Sequence, residues 1–213
     1  MATGGKTLKK SGSDGSGFLY LESLGHHIID LVPGLIGLKG KQSFFADIAG
    51  IRADVKVDLY IESTHVCSER GELQLTNYGI SGIPVFQLSR VAARALSEQK
   101  KVYATLNFVP LWEKEQCLTY FKERFKKADE KRIGEALIGF FPEKLIPVLL
   151  EESHIKAAKY ANRLQTEELE RFIDTVQGLR VDITDWNTFD TAQVTAGGVD
   201  TDEIDAETME SKL

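Results

Sequence analysis

Side chains able to do chemistry are thinly spread along this sequence. His26 and His27 are adjacent, so in an extended run they point to opposite faces and cannot chelate one metal together. His65 falls in a polar segment and His154 near a helix start. Cys67 and Cys117 stand far apart, without Cys-x-x-Cys or Cys/His ligand spacing, so no metal site is expected. Each cysteine reads as a small core or surface residue rather than a nucleophile. Asp54 and Asp58 alternate with Arg52 and Lys56, the pattern of a solvated strand face. The acids between 200 and 210 lie in a turn-rich tail. No Gly-x-Ser-x-Gly elbow or Ser/His/Asp arrangement is visible, so acyl-transfer chemistry has no warrant. No catalytic residue is assigned.

Glycine phrases suggest chemistry of another kind. Met1-Ala2-Thr3-Gly4-Gly5 opens the chain, and Val194-Thr195-Ala196-Gly197-Gly198-Val199 comes near its other end. Both read as strand exits into glycine turns, and a domain normally begins and ends in exposed polar linker instead. The expectation is therefore a middle segment of a larger protein. The dinucleotide fingerprint G-x-G-x-x-G, which sets glycines and a helix N-terminus against a pyrophosphate, does not occur. Gly12, Gly15 and Gly17 have other spacing and follow no apolar strand, so the 11–17 loop reads as a connector.

The elements that must position these residues follow from composition and period. The chain has 213 residues, 42% hydrophobic and 27% charged, with a formal net charge of −6. It is long enough to bury a sizeable core. Its acidic balance argues against nucleic-acid or anionic-membrane partners, which need a clustered basic footprint. The one basic cluster, Arg124, Lys126, Lys127, Lys131 and Arg132, is interleaved with Glu123, Asp129 and Glu130 and reads as a solvated helix end. No apolar stretch is long enough for a membrane span or a signal peptide. With only two cysteines, far apart, and no signal peptide, a reducing cytoplasm is the expected compartment.

Ile51, Ala53, Val55, Val57, Leu59 and Ile61 alternate with Arg52, Asp54, Lys56, Asp58 and Tyr60, the pattern of a half-buried antiparallel strand. A polar loop from Glu62 to Arg70 and a returning strand over 71–76 are predicted next. The glycines of Tyr78-Gly79-Ile80-Ser81-Gly82 then turn the chain into a helix with Pro84 in its first turn. From Pro110 to about 177 the period is helical. Pro142 suits a helix start there, and Pro147 should break or kink that helix. Thr166 is read as the cap of the last helix and Gly178 as its stop. Strand alternation returns at Leu179, Val181 and Ile183. The fold class is thus α+β, a β-rich barrel-like body with an inserted all-helical subdomain.

These phrases together resemble one family, the bacterial NAD(P)/FAD-dependent oxidoreductases of the aminoacetone-oxidase-like flavoproteins. Gly71-Glu72-Leu73-Gln74-Leu75-Thr76-Asn77-Tyr78-Gly79-Ile80-Ser81-Gly82, continued by Gln87-Leu88-Ser89, is similar to that family's insert phrase. Ala2-Thr3-Gly4-Gly5-Lys6 resembles the exit from its flavin domain. Ala192 to Val199 resembles the return, and Thr208-Met209-Glu210-Ser211-Lys212-Leu213 the lead-in to its last segment. Ile83, Gln74 and Asn77 depart from the residues usual in the family, which leaves a catalytic role at Asn77 without support.

The resemblance implies an insert, or substrate-side cap, of an FAD-dependent oxidoreductase. Residues 1–26 would be the flavin-domain edge and a linker helix, and 27–109 the first part of the β-rich body. Residues 110–178 would be the helical insert, 179–191 the return of the body, and 192–213 the re-entry to the flavin domain. Thr3, Gly4, Gly5, Thr195, Gly197 and Gly198 would be its peripheral FAD contacts, and Tyr78 a substrate-side candidate. The implied partners are the remaining FAD-binding domain of the parent and a small-molecule substrate. No FAD is expected on this chain alone, which lacks the pyrophosphate-binding element. The competing reading is an autonomous, non-catalytic binding or structural module.

Overall fold

The computed structural model describes residues 3–213; Met1 and Ala2, which begin the Ala-Thr-Gly-Gly phrase, lie outside the described residues. In chain order the elements are α1 (Ser16–Ser23), β1 (Ile28–Gly34), β2 (Leu38–Gly40), α2 (Phe45–Ile48), β3 (Arg52–Ile61), β4 (Thr64–Thr76), β5 (Gly79–Gly82) and α3 (Ile83–Ser97). They continue as β6 (Val102–Asn107), α4 (Lys114–Lys127), α5 (Ile133–Leu137), α6 (Leu145–Glu152), α7 (Thr166–Gly178), β7 (Leu179–Trp186) and β8 (Val194–Val199).

Six strands close into a barrel in the order β2-β5-β4-β3-β6-β7, with β2 pairing back to β7. The alternation that marks β3 fills its interior. Val55, Val57 and Leu59 are buried together with Leu73 and Leu75 of β4, Val102, Ala104 and Leu106 of β6, and Leu179, Val181 and Ile183 of β7. Closure pairs each strand on both sides around the barrel wall, while Thr64 to Glu72 of β4 pair only with β3. The amphipathic helix α3 packs against β4, β1 and β3, burying Val85, Leu88, Ala92 and Ala95.

Helices α4 to α7 run between β6 and β7, whose ladder begins at Leu106 opposite Leu179. Their core is aromatic. Phe121 packs edge-on against Phe172 at 5.5 Å and Phe140 at 4.9 Å, spacing that favours T-shaped pairs. One buried cluster runs from the barrel strands into these helices.

Three local expectations are corrected. Residues 64–70 are strand, not loop: β4 pairs with β3 out to Ile61 opposite Thr64. The turn is only Glu62 and Ser63, both at positive φ (48° and 70°), the two-residue geometry that matches strand twist. Pro147 does not break α6, because the helix starts at Leu145 and a first-turn proline lacks only an N–H that has no intrahelical partner. The cap of α7 is Gln165 rather than Thr166: Gln165 and Glu168 form a reciprocal capping box.

Glu168 also receives the Lys159 ammonium at 2.5 Å. That ammonium, and then the Gln165 N–H, hold its carboxyl below the usual carboxylate range. A depressed folded value means that this stabilisation is complete above the unfolded value of about 4.3 and disappears as pH falls through the lower folded one. Glu168→Gln should therefore lower the thermal midpoint near neutral pH, and the gap to wild type should close toward about pH 3. A gap independent of pH would show that the charge contributes nothing.

Candidate functional site

β1 and β8 form a two-stranded antiparallel ribbon outside the barrel, from Ile28 opposite Val199 to Gly34 opposite Val194. β1 lies in the stretch expected to open the β-rich body, yet it pairs with β8 and with no barrel strand. A lone two-stranded ribbon is marginal in water; this one is supported by α3 against β1 and by α1 against both strands.

The residues singled out by the glycine phrases meet at this ribbon. The Lys6 N–H donates to Thr195 Oγ1 at 2.8 Å, and a Cβ on Gly5 would come within 2.6 Å of the same oxygen. Gly4, at φ +72°, packs on Ser13, and Thr3 lies over Gly17. Gly197, at φ +96°, lies tight under the Asp30 carbonyl, and Gly198, at φ +127°, faces Phe18. Residues far apart in sequence are thus brought into one structure. Tyr78 belongs to a different set of contacts, at the β2–β5 junction. It is half-buried, its hydroxyl lies against Gly37, and its carbonyl accepts from the Gly40 N–H at 2.9 Å.

These six residues do not by themselves fit FAD. The side-chain space of all four glycines is occupied by Ser13, Thr195, Asp30 or Phe18, so their missing Cβ atoms serve close packing and leave no cradle. The adjoining groove of about 560 Å³, along α1 and β1, is lined by Asp14, Glu22 and Asp30 against the single cation Lys6. Such a lining repels a diphosphate. Among the described residues the ribbon offers no cradle for a pyrophosphate.

The structure also assembles a polar chain that no local pattern announces. His26 is buried, with Nδ1 2.7 Å from Glu203 Oε2 and Nε2 3.1 Å from Ser211 Oγ. The His27 N–H donates to both Glu203 oxygens, at 3.1 and 3.2 Å. The sequence shows no Ser/His/Asp arrangement, and the fold assembles a Ser/His/Glu one from Ser211, His26 and Glu203. It acts as a bolt: Ser211 Oγ also accepts the Leu213 N–H at 3.1 Å. Its effect is to fasten the 200–213 segment to the end of α1.

Arg124 and the two cysteines are spent on structure. Arg124 donates to the Ala136 and Ile138 carbonyls at 2.7 and 3.0 Å, satisfying carbonyls at the end of α5. Cys117 is buried and Cys67 half-buried, both as free thiols, and burial pushes each thiol up, away from the reactive thiolate. No group of three or more His, Cys, Asp or Glu among the described residues is placed to hold a metal ion. No helix among them is long and apolar enough to cross a membrane.

A closed six-stranded barrel carrying a helical insert, with a glycine-rich ribbon at its side, defines the class. Residues 32–194 match the family described as HI0933-like protein barrel and H2TH domain, and the chain belongs to that family. It is 42% identical, over 212 residues, to the 3-dehydro-bile acid delta(4,6)-reductase of Clostridium scindens, covering 100% of this chain and 52% of that protein. It is 24% and 25% identical to the ribosomal RNA dihydrouridine synthases of Escherichia coli and Haemophilus influenzae, covering 100% and 99% of this chain and 50% of each of those proteins. The chain spans about half the length of these relatives.

Proposed function

We propose that this chain is the barrel-and-helix insert of an FAD-dependent reductase, the substrate-side cap to a flavin domain supplied by the rest of the parent. The carrying observation is the ribbon. The segment around Gly4-Gly5 and the segment around Thr195-Gly198 are joined outside the barrel by the Lys6–Thr195 bond, as expected of two crossings into one neighbouring domain. The names of the relatives support the chemistry, since a delta(4,6)-reductase and a dihydrouridine synthase share one outcome, the addition of two hydrogens. The aminoacetone-oxidase-like flavoproteins, with their insert phrase at 71–82, are the finer assignment. Thr3, Gly4, Gly5, Thr195, Gly197 and Gly198 border the flavin in the parent. Tyr78 stands as a substrate-side candidate through its turn. The chain alone is catalytically silent, and the free thiols suit a reducing cytoplasm.

Titration of FAD fluorescence with the isolated chain tests this. No saturable change is expected at micromolar protein, because binding must recover the cost of ordering a ligand and the ribbon offers no pyrophosphate site. The full-length parent should purify yellow and bleach on reduction. A yellow isolated chain would overturn the edge role, and a colourless parent would overturn the flavin reading.

A further inference from the structure

A second groove, of about 390 Å³, lies between α3 and β8. That is within the size range of small-molecule sites. Its apolar lining comes from Ile61 at the end of β3, Val91 and Ala95 one turn apart on α3, and Ala196 of β8. Beside them Arg90 and Arg94, also one turn apart, share the neighbouring face of the helix. Lys100 and Glu98 complete the rim, paired with each other at 2.6 Å. The rim thus carries two guanidinium charges beyond that pair, on a chain whose formal net charge is −6. Arg94 gives one N–H to the Asp30 carbonyl at 2.9 Å, which fixes its position, and among the described residues no other hydrogen bond engages its guanidinium. Asp30, the one acid of the ribbon strands, lines the other groove and meets this one only through its carbonyl.

We propose that this groove binds an amphipathic organic anion, a compact apolar body ending in a carboxylate. The apolar part would lie on Ile61, Val91 and Ala95 while the carboxylate takes charge-assisted hydrogen bonds from Arg90 and Arg94. Guanidinium groups are suited to carboxylates by their planar fork of donors. Apolar floor and cationic rim together select against neutral lipids and against small hydrophilic anions alike. This inference rests on the groove and not on the flavin reading, which would survive its failure.

The test is fluorescence titration of the chain with 11-(dansylamino)undecanoate, its methyl ester serving as the uncharged control. Saturable binding of the acid is expected, with the ester weaker by about tenfold or more, the size of one to two charge-assisted hydrogen bonds. Arg90→Gln should lose about the same factor for the acid, leave the ester unchanged, and keep the circular dichroism spectrum of the wild type. Equal affinity for acid and ester, an unaltered affinity in Arg90→Gln, or no binding of the acid would each overturn the proposal.

Discussion

Replacing Val57 by aspartate should abolish cooperative folding or lower stability by about 3–5 kcal/mol, the range for burying an unpaired charge in a packed interior. Val57 is 1% exposed at the middle of β3, opposite Leu106 on one neighbour and Glu69 on the other. A carboxylate there would lose its hydration and would face a like charge across the β3–β4 ladder, which destabilises a cross-strand pair. Denaturant unfolding is the measurement. A midpoint equal to that of wild type would mean that this face of β3 does not line the barrel. Val57→Ala gives the scale for simple truncation, which should cost about 1–3 kcal/mol less than the aspartate.

Alanine at Gly79 should be nearly as damaging, for a backbone reason. Gly79 begins β5 at φ +152°, where L side chains are strained. A Cβ there would run into the Leu38 carbonyl and come within 2.6 Å of the Gly40 N–H. Those atoms belong to β2, the three-residue strand through which β5 and β7 are joined. Backbone cannot give way as a side-chain tip can, so a loss of about 3 kcal/mol or more is expected. Hydrogen exchange would locate the damage, with protection falling first at β2 and β5. Uniform protection and an unchanged midpoint would refute this account of barrel closure.

Legibility followed the reach of each interaction. β3 was readable because one buried face repeats every second residue for ten residues, and α7 because its apolar stripe recurs at helical spacing between capping signals. The β-rich barrel with a helical insert followed from those two periods. β2 was not readable, since three residues with one buried side chain carry no period. The Glu62-Ser63 turn lacks the Asn-Gly or Asp-Gly chemistry that usually marks such a hairpin, so the outer half of β4 passed for loop. The glycine phrases read as strand exits, but that they meet at the ribbon, with glycines packed against Thr195, Asp30 and Phe18, is knowledge only tertiary contacts hold. Neither the His26–Glu203–Ser211 bolt nor the groove at Arg90 and Arg94 could be inferred: the first joins residues 177 and 185 positions apart, and the second is walled by three separate elements.

The pairing of Leu106 with Leu179 makes the four helices between them a long excursion from a single hairpin. The barrel's ladders run through neither end of that excursion, and lengthening a connection adds only a slowly growing closure entropy. The connection could therefore change in length at small entropic cost, but not freely in composition. The faces of the helices that share the barrel's buried cluster tie part of the excursion to the strands, so the room for change lies on the faces turned away from them.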